Sequence, residues 1–178
     1  MQVLPSGIHF ERATSYHRLV TEFFFYSYLL LKRTGKIIPL DIKSRIKTML
    51  QFVMHAIKPD GSMALIGDND DGRLLPFCKN DINDNRYLLS LGASEFNDKN
   101  FHRYSKGYTA DCFFLVGEIM PLQNNCSVNI EDMPTIKVFE DAGFGILRGN
   151  EYYVLYNNNG FSRYANAKSI TNSTSHTY

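Results

Sequence analysis

Tryptophan is absent from this chain, and cysteine, proline and surplus charge are all scarce. The three cysteines, Cys78, Cys112 and Cys126, are odd in number and show no C-x-x-C spacing. They exclude a disulfide framework and a zinc knuckle as the organising principle. A formal net charge of +1 leaves no whole-molecule field to draw in nucleic acid or an anionic membrane. Any preference for an acidic ligand must therefore be built locally. Long apolar runs are missing too. The run from Phe23 to Leu31 is nine residues, between Glu22 and Lys32-Arg33, too short to cross a bilayer. Membrane insertion is not expected. The start, MQVLPSGIHFERA, has no basic segment followed by an apolar core, so no signal peptide is expected in it.

What is present is aromatic and helical. The chain holds 13 Phe and 11 Tyr in 178 residues, enough for one ordinary domain or pieces of two. Residues 10–34 read as one helix, hydrophobic on several faces and so buried among others, stopping at Gly35. Ile42, Ile46, Met49, Leu50, Val53 and Met54 recur at helical spacing and predict a second helix over 40–57, closed by Pro59. A long polar loop follows to Arg73. Asp81–Phe96 and Ala110–Glu118 read as further helices. The character changes after Gly117. Residues 121–134 are a polar linker, and 135–139, 143–148 and 152–156 are short β-rich runs separated by hairpin signals such as Gly149-Asn150. Three or four strands are too few to close a sandwich. The expected class is α+β: helices over 1–119, a linker over 120–134 and the start of an antiparallel sheet domain over 135–178.

The most suggestive segment is Glu11-Arg12-Ala13-Thr14-Ser15-Tyr16-His17-Arg18-Leu19-Val20-Thr21-Glu22. On a continuous helix Arg12 and Tyr16 share a face, as do Arg18 and Glu22. A phenol beside an imidazole and a guanidinium can move a proton in a site for an acidic ligand. The same residues also suit an ordinary capped and solvated helix start.

Three segments resemble, in order, the heparinase II/III-like polysaccharide lyases. Gly7-Ile8-His9-Phe10-Glu11 with Ser15-Tyr16-His17-Arg18 is similar to that family's helix start. Pro59-Asp60-Gly61-Ser62 through Ile66-Gly67-Asp68-Asn69-Asp70-Asp71-Gly72-Arg73 is similar to its PDGS…GR loop. Phe139-Glu140-Asp141-Ala142-Gly143-Phe144-Gly145-Ile146-Leu147-Arg148 is similar to its first sandwich strands. The resemblance implies the end of an incomplete α/α toroid followed by the start of a β-sandwich, in a fragment that lacks the upstream helix bearing the residue that neutralises the uronate. It implies β-elimination on a uronate-containing acidic polysaccharide, heparan-like, alginate-like or an exopolysaccharide, in the periplasm or outside the cell. The parent is then a carbon–oxygen lyase, with the isolated fragment expected to be inactive.

By that likeness Tyr16 is the acid/base, and His176 falls on the first histidine of the family's H-x-H-x-D segment. Arg12, His17 and Arg73 are the substrate-binding candidates. Positive charge from Arg12, His17 or Arg18 would lower a phenol whose reference pKa is near ~10. Tyr178 stands where the second histidine of that segment would be, which puts its structural metal in doubt; no metal ligand and no cofactor is assigned. A non-catalytic polysaccharide-binding or biosynthetic relative is the alternative, and an unrelated helical interaction domain with a β tail a third.

Other candidates are weaker. Asp68-Asn69-Asp70-Asp71-Gly72 starts like a calcium loop, but its glycine falls one position early and Lys79 stands where the closing glutamate belongs. Those carboxylates are expected instead to frame Arg73, with Gly67 and Gly72 in unusual backbone conformations. His9, His55 and His102 have no metal-ligand spacing. Tyr152, Tyr153 and Tyr156 suit either a sugar-stacking platform or alternation along a strand.

Overall fold

The computed structural model describes residues 2–68, 72–77, 81–117, 135–149 and 152–158. Five helices precede three strands: α1 (Thr14–Arg33), α2 (Leu40–Ala56), α3 (Arg86–Phe96), α4 (Lys99–Tyr104), α5 (Ala110–Leu115), β1 (Ile136–Phe139), β2 (Phe144–Arg148) and β3 (Tyr153–Asn157). The sheet is antiparallel in the order β1-β2-β3, so β1 and β3 are its edges. Phe139 stands opposite Phe144, and Ile146 opposite Leu155. The class is α+β, as expected.

Helix α1 shows why its sequence looked greasy all round. One stripe, running through His17, Thr21, Phe25, Tyr28 and Leu29, is buried. The opposite stripe, Tyr16, Val20, Phe23, Ser27 and Leu30, follows the same 3.6-residue period but is half-buried or exposed. The buried stripe meets α2 and α3, where Phe25 stacks on Phe96 with ring centroids 5.5 Å apart. Leu50, Val53, Leu88, Leu91 and Phe101 complete that core. A second core joins helices to sheet: Ile8, Phe52, Ala56 and Met63 against Phe139, Phe144, Ile146 and Leu155. Polar bonds reinforce the seam. The Tyr153 hydroxyl donates to the Ala56 carbonyl at 3.0 Å, and Arg148 donates to the His55 carbonyl. Both carbonyls belong to the last turn of α2, where no backbone partner exists within the helix.

The structure departs from the sequence reading at three boundaries and in one further helix. Helix α5 ends at Leu115, short of the expected Glu118, with Gly117 at a left-handed φ of +78°. Residues 10–13 are not helical. Phe10 donates to Gln2, Arg12 to His9, and Arg12 adopts a left-handed φ of 58°. Arg12 and Tyr16 therefore do not share a helix face. Helix α3 begins at Arg86 because Asp81 accepts from the Asn83 amide, a local turn that competes with helix. Helix α4 was not foreseen. It is only six residues, and the Asp98 side chain caps it by accepting from Asn100 and Phe101. Glu118 and the linker over 120–134 lie outside the described residues. No described helix is long and apolar enough to cross a membrane.

Gly7 fixes how the N-terminal loop meets α2. Its φ is +91°, and a Cβ there would run into the Thr48 carbonyl and the Met49 amide. Both objections are to backbone, which cannot swing aside as a side chain would. Gly7→Ala is expected to destabilise by at least about 1–3 kcal/mol, read as a shift of the urea midpoint. An unchanged midpoint would show that the loop is not seated on α2.

Candidate functional site

Tyr16 stands in the first turn of α1, half-buried on the outward stripe. Among the described residues its hydroxyl makes no hydrogen bond, in contrast to the polar residues around it. Those residues sew α1 to the 58–82 segment. Thr14 exchanges two bonds with Ile66, its amide donating to the Ile66 carbonyl at 2.9 Å and its hydroxyl accepting from the Ile66 amide at 3.0 Å. The Ser15 hydroxyl donates to the Asp68 carbonyl at 2.5 Å. Arg18, 3% exposed, donates to the carbonyls of Gly72 and Ile82, each at 2.9 Å. The loop that the sequence singled out is thus wrapped around the helix that carries Tyr16.

One turn further on, Glu22 is wholly buried. It accepts from Arg73 Nε at 3.2 Å, from the Leu74 amide at 2.6 Å and from the Tyr87 hydroxyl. Arg73 also meets Asp111 at 3.4 Å and lies over the Tyr87 ring, 3.9 Å from its centroid. Burial pulls Arg73 down, and Tyr87, Glu22 and Asp111 outweigh it, so its pKa is raised. Burial, followed by Glu22, pushes the Tyr87 phenol well up, so it remains a donor. Among the described residues, the carboxylates that hold Arg73 are Glu22 of α1 and Asp111 of α5. Its guanidinium is already committed on two edges and one face. Asp70 and Asp71 lie outside the described residues. Gly67 has the expected positive φ of +76°.

His17 is the second strut. Its Nδ1 accepts from the His9 amide at 3.3 Å, and its Nε2 donates to the Met49 carbonyl at 3.1 Å. That fixes the neutral tautomer and leaves no ring nitrogen for a ligand. Burial lowers its pKa from 6.5 to about 3, against a small opposing contribution from the Met49 bond. The unfolded chain therefore binds a proton below 6.5 that the folded chain refuses. Stability from this group is full above pH 6.5 and declines as pH falls toward 3. Acidification from pH 6.5 to 4.5 is expected to cost on the order of 2–3 kcal/mol. His17→Gln should flatten that decline in urea titrations at stepped pH; an equal slope would remove His17 as its source.

Of the site residues named from sequence, the fold gathers Tyr16, His17 and Arg73 around the first turns of α1, with Tyr16 facing out and the other two inward. Arg12 lies before the helix, and its Nε is buried without a partner. His176 lies outside the described residues. Glu22 had been read only as a neighbour of Arg18, and Tyr87 and Asp111 were not singled out. An acid inside an apolar helix run was the available signal for Glu22, because burial of a carboxylate demands partners.

Comparison with protein families decides the relationship. Residues 1–86 match the model described as Heparinase II/III N-terminus. Residues 1–86 are a heparinase II/III N-terminal domain. Comparisons with curated proteins and with solved structures returned no match. The heparinase II/III domain takes in the N-terminal loop, α1, α2 and the PDGS…GR loop, and reaches the first residue of α3. Two of the three resemblances lie within it. The heparinase II/III family is one of polysaccharide lyases, and residues 1–86 are the part of the chain similar to it. Among the described residues, no cluster of three His, Cys, Asp or Glu side chains could hold a metal ion.

Proposed function

We propose that the protein cleaves a uronate-containing acidic polysaccharide by β-elimination, with Tyr16 as the group that moves the proton. The observation that carries this reading is the contrast between Tyr16 and its neighbours. Thr14, Ser15, Arg18 and Glu22 are spent on holding α1 to the loop and His17 on holding it to α2 and the N-terminal segment, while the phenol is left on the outward stripe with its hydroxyl uncommitted among the described residues. A phenol so placed on a rigid helix suits proton transfer, which requires a fixed position and a free lone pair or proton.

In β-elimination the uronate carboxylate is neutralised, a base removes the proton at C5, and an acid protonates the departing glycosidic oxygen. Arg73 and His17 support the helix and loop in this reading rather than touching sugar. The helical part is the end of an α/α toroid, and β1–β3 begin a sandwich. His176 is the second catalytic group if the later chain returns to α1. The full-length protein, offered heparan sulfate, alginate and a bacterial acidic exopolysaccharide, should generate unsaturated uronate, followed by its ultraviolet absorbance. Binding without that product would favour the non-catalytic relative.

A further inference from the structure

A second cleft, of about 990 Å³, opens between the N-terminal loop, α2, α4 and β1. Its walls include Ser6, Gln51, His55, Asn100 and Lys137, and Tyr16 is not among them. That volume is within the range of small-ligand sites. Two of its lining polar groups are buried and unsatisfied. His55 is 8% exposed, its Nδ1 is buried without a partner, and the Ser6 hydroxyl is in the same condition. Behind His55 lies Arg148, 4% exposed. Arg148 Nη2 donates to the His55 carbonyl, while Nη1 is buried with no partner. No carboxylate among the described residues lies within ion-pair distance of it. Lys137 forms no ion pair there either.

A buried cation without a counter-charge is costly, and the Tyr153 ring, 4.9 Å from the guanidinium, offsets only part of that cost. The C-terminal end of α2 offsets only about half a charge. The field at His55 confirms the sign. Burial lowers its pKa to about 4, and the charges that add to this are Lys137 and Arg148, with no acid opposing them. Two acids do line the cleft, Glu140 and Asp141, but both are exposed on the turn after β1. Asp141 is engaged with the Ser6 amide at 2.8 Å. Exposed charges are screened where buried ones are not.

We propose that this cleft binds an oxyanion, a carboxylate or sulfate carried by an acidic glycan, between Lys137 and His55 and in the field of Arg148 behind them. The glycan part of this assignment rests on the polysaccharide reading above; the oxyanion part rests on the cleft alone. Gln51 and Asn100 offer amide groups to the hydroxyls of the same sugar.

The test uses the full chain, with calorimetric titration of a heparin-derived hexasaccharide, an alginate-derived oligouronate and neutral maltohexaose, and with the ring-nitrogen resonances of His55 followed by NMR. The two acidic probes should bind and shift the His55 signals, and the neutral one should do neither. A desulfated heparin hexasaccharide that binds as tightly as the native one assigns the anion as carboxylate, and a loss of binding on desulfation assigns it as sulfate. Lys137→Ala, at a half-buried rim position, should weaken acidic binding about tenfold, the loss of one charge-assisted contact, and Lys137→Glu more. Acidic binding that ignores both Lys137 variants and leaves His55 silent overturns the cleft site while leaving the polysaccharide reading intact. If no acidic oligosaccharide binds, the polysaccharide reading fails. Inorganic sulfate then decides the cleft: a His55 shift that Lys137→Glu abolishes retains the oxyanion site, and no shift removes it.

Discussion

Tyr16→Phe should lower kcat of the full-length protein by about 10²–10⁴, the usual contribution of a positioned proton-transfer group. KM should move only a few fold, because the ring and its place on the α1 stripe remain. Folding stability should stay within about 0.5 kcal/mol of the parent, since the hydroxyl forms no hydrogen bond among the described residues. The three measurements together separate chemistry from packing. Steady-state rates on the best polysaccharide give kcat and KM, and urea unfolding gives the stability. A variant with near-parental kcat would make Tyr16 a surface aromatic and end its assignment. A collapse of stability would point to a structural role instead.

The largest loss of stability is expected from Glu22→Ala. Three donors converge on that carboxylate: Arg73, the Leu74 amide and the Tyr87 hydroxyl. Its removal leaves an arginine with a single carboxylate, an amide without an acceptor and a buried phenol without a partner. Breaking one side of a buried pair costs about 3–5 kcal/mol, mostly through what is left unpaired. That is a large part of the 5–15 kcal/mol by which a domain is ordinarily stable. Glu22→Gln retains one carbonyl oxygen for the Leu74 amide but loses the charge, and should fall between the two. Urea unfolding of the three proteins checks the order. A Glu22→Ala protein within about 1 kcal/mol of the parent would show that the cluster is not cooperative.

Helices α1 and α2 were legible because a buried stripe writes its period into the sequence, and Ile46, Met49, Leu50 and Val53 do so plainly. The three strands were legible to within a residue through their β-rich composition and the turn signal at Gly149-Asn150. The start of α1 was not, because nothing local announces that Thr14 will trade bonds with Ile66, 52 residues away. Helix α4 was too short for periodicity and depends on one cap. The same distinction governs the site. Tyr16 and Arg73 could be picked out by motif, but the direction in which Arg73 points is set by Glu22 and Asp111, 51 and 38 positions distant in sequence. Tyr152 and Tyr156 are exposed, whereas Tyr153 is buried and bonded to α2. Alternation along the strand thus accounts for Tyr153 and leaves the other two on the surface.

The seam between α1 and the segments around it, the wrapping loop and α2, is asymmetric in a way that governs which substitutions it tolerates. Ser15, His17 and Arg18 contribute side chains, whereas Asp68, Met49, Gly72 and Ile82 contribute main-chain carbonyls. Every amino acid possesses that carbonyl. The identities of the acceptor positions are consequently free with respect to these bonds, limited only by packing and backbone conformation, while those of the three donors are not. A saturation library scored for folded protein should show this as an uneven map, intolerant at Ser15, His17 and Arg18 and permissive at Asp68 and Ile82. Apart from Arg73, whose side chain Glu22 holds, the loop can drift in sequence, and with it the shape it presents beside Tyr16, without coming loose from the helix.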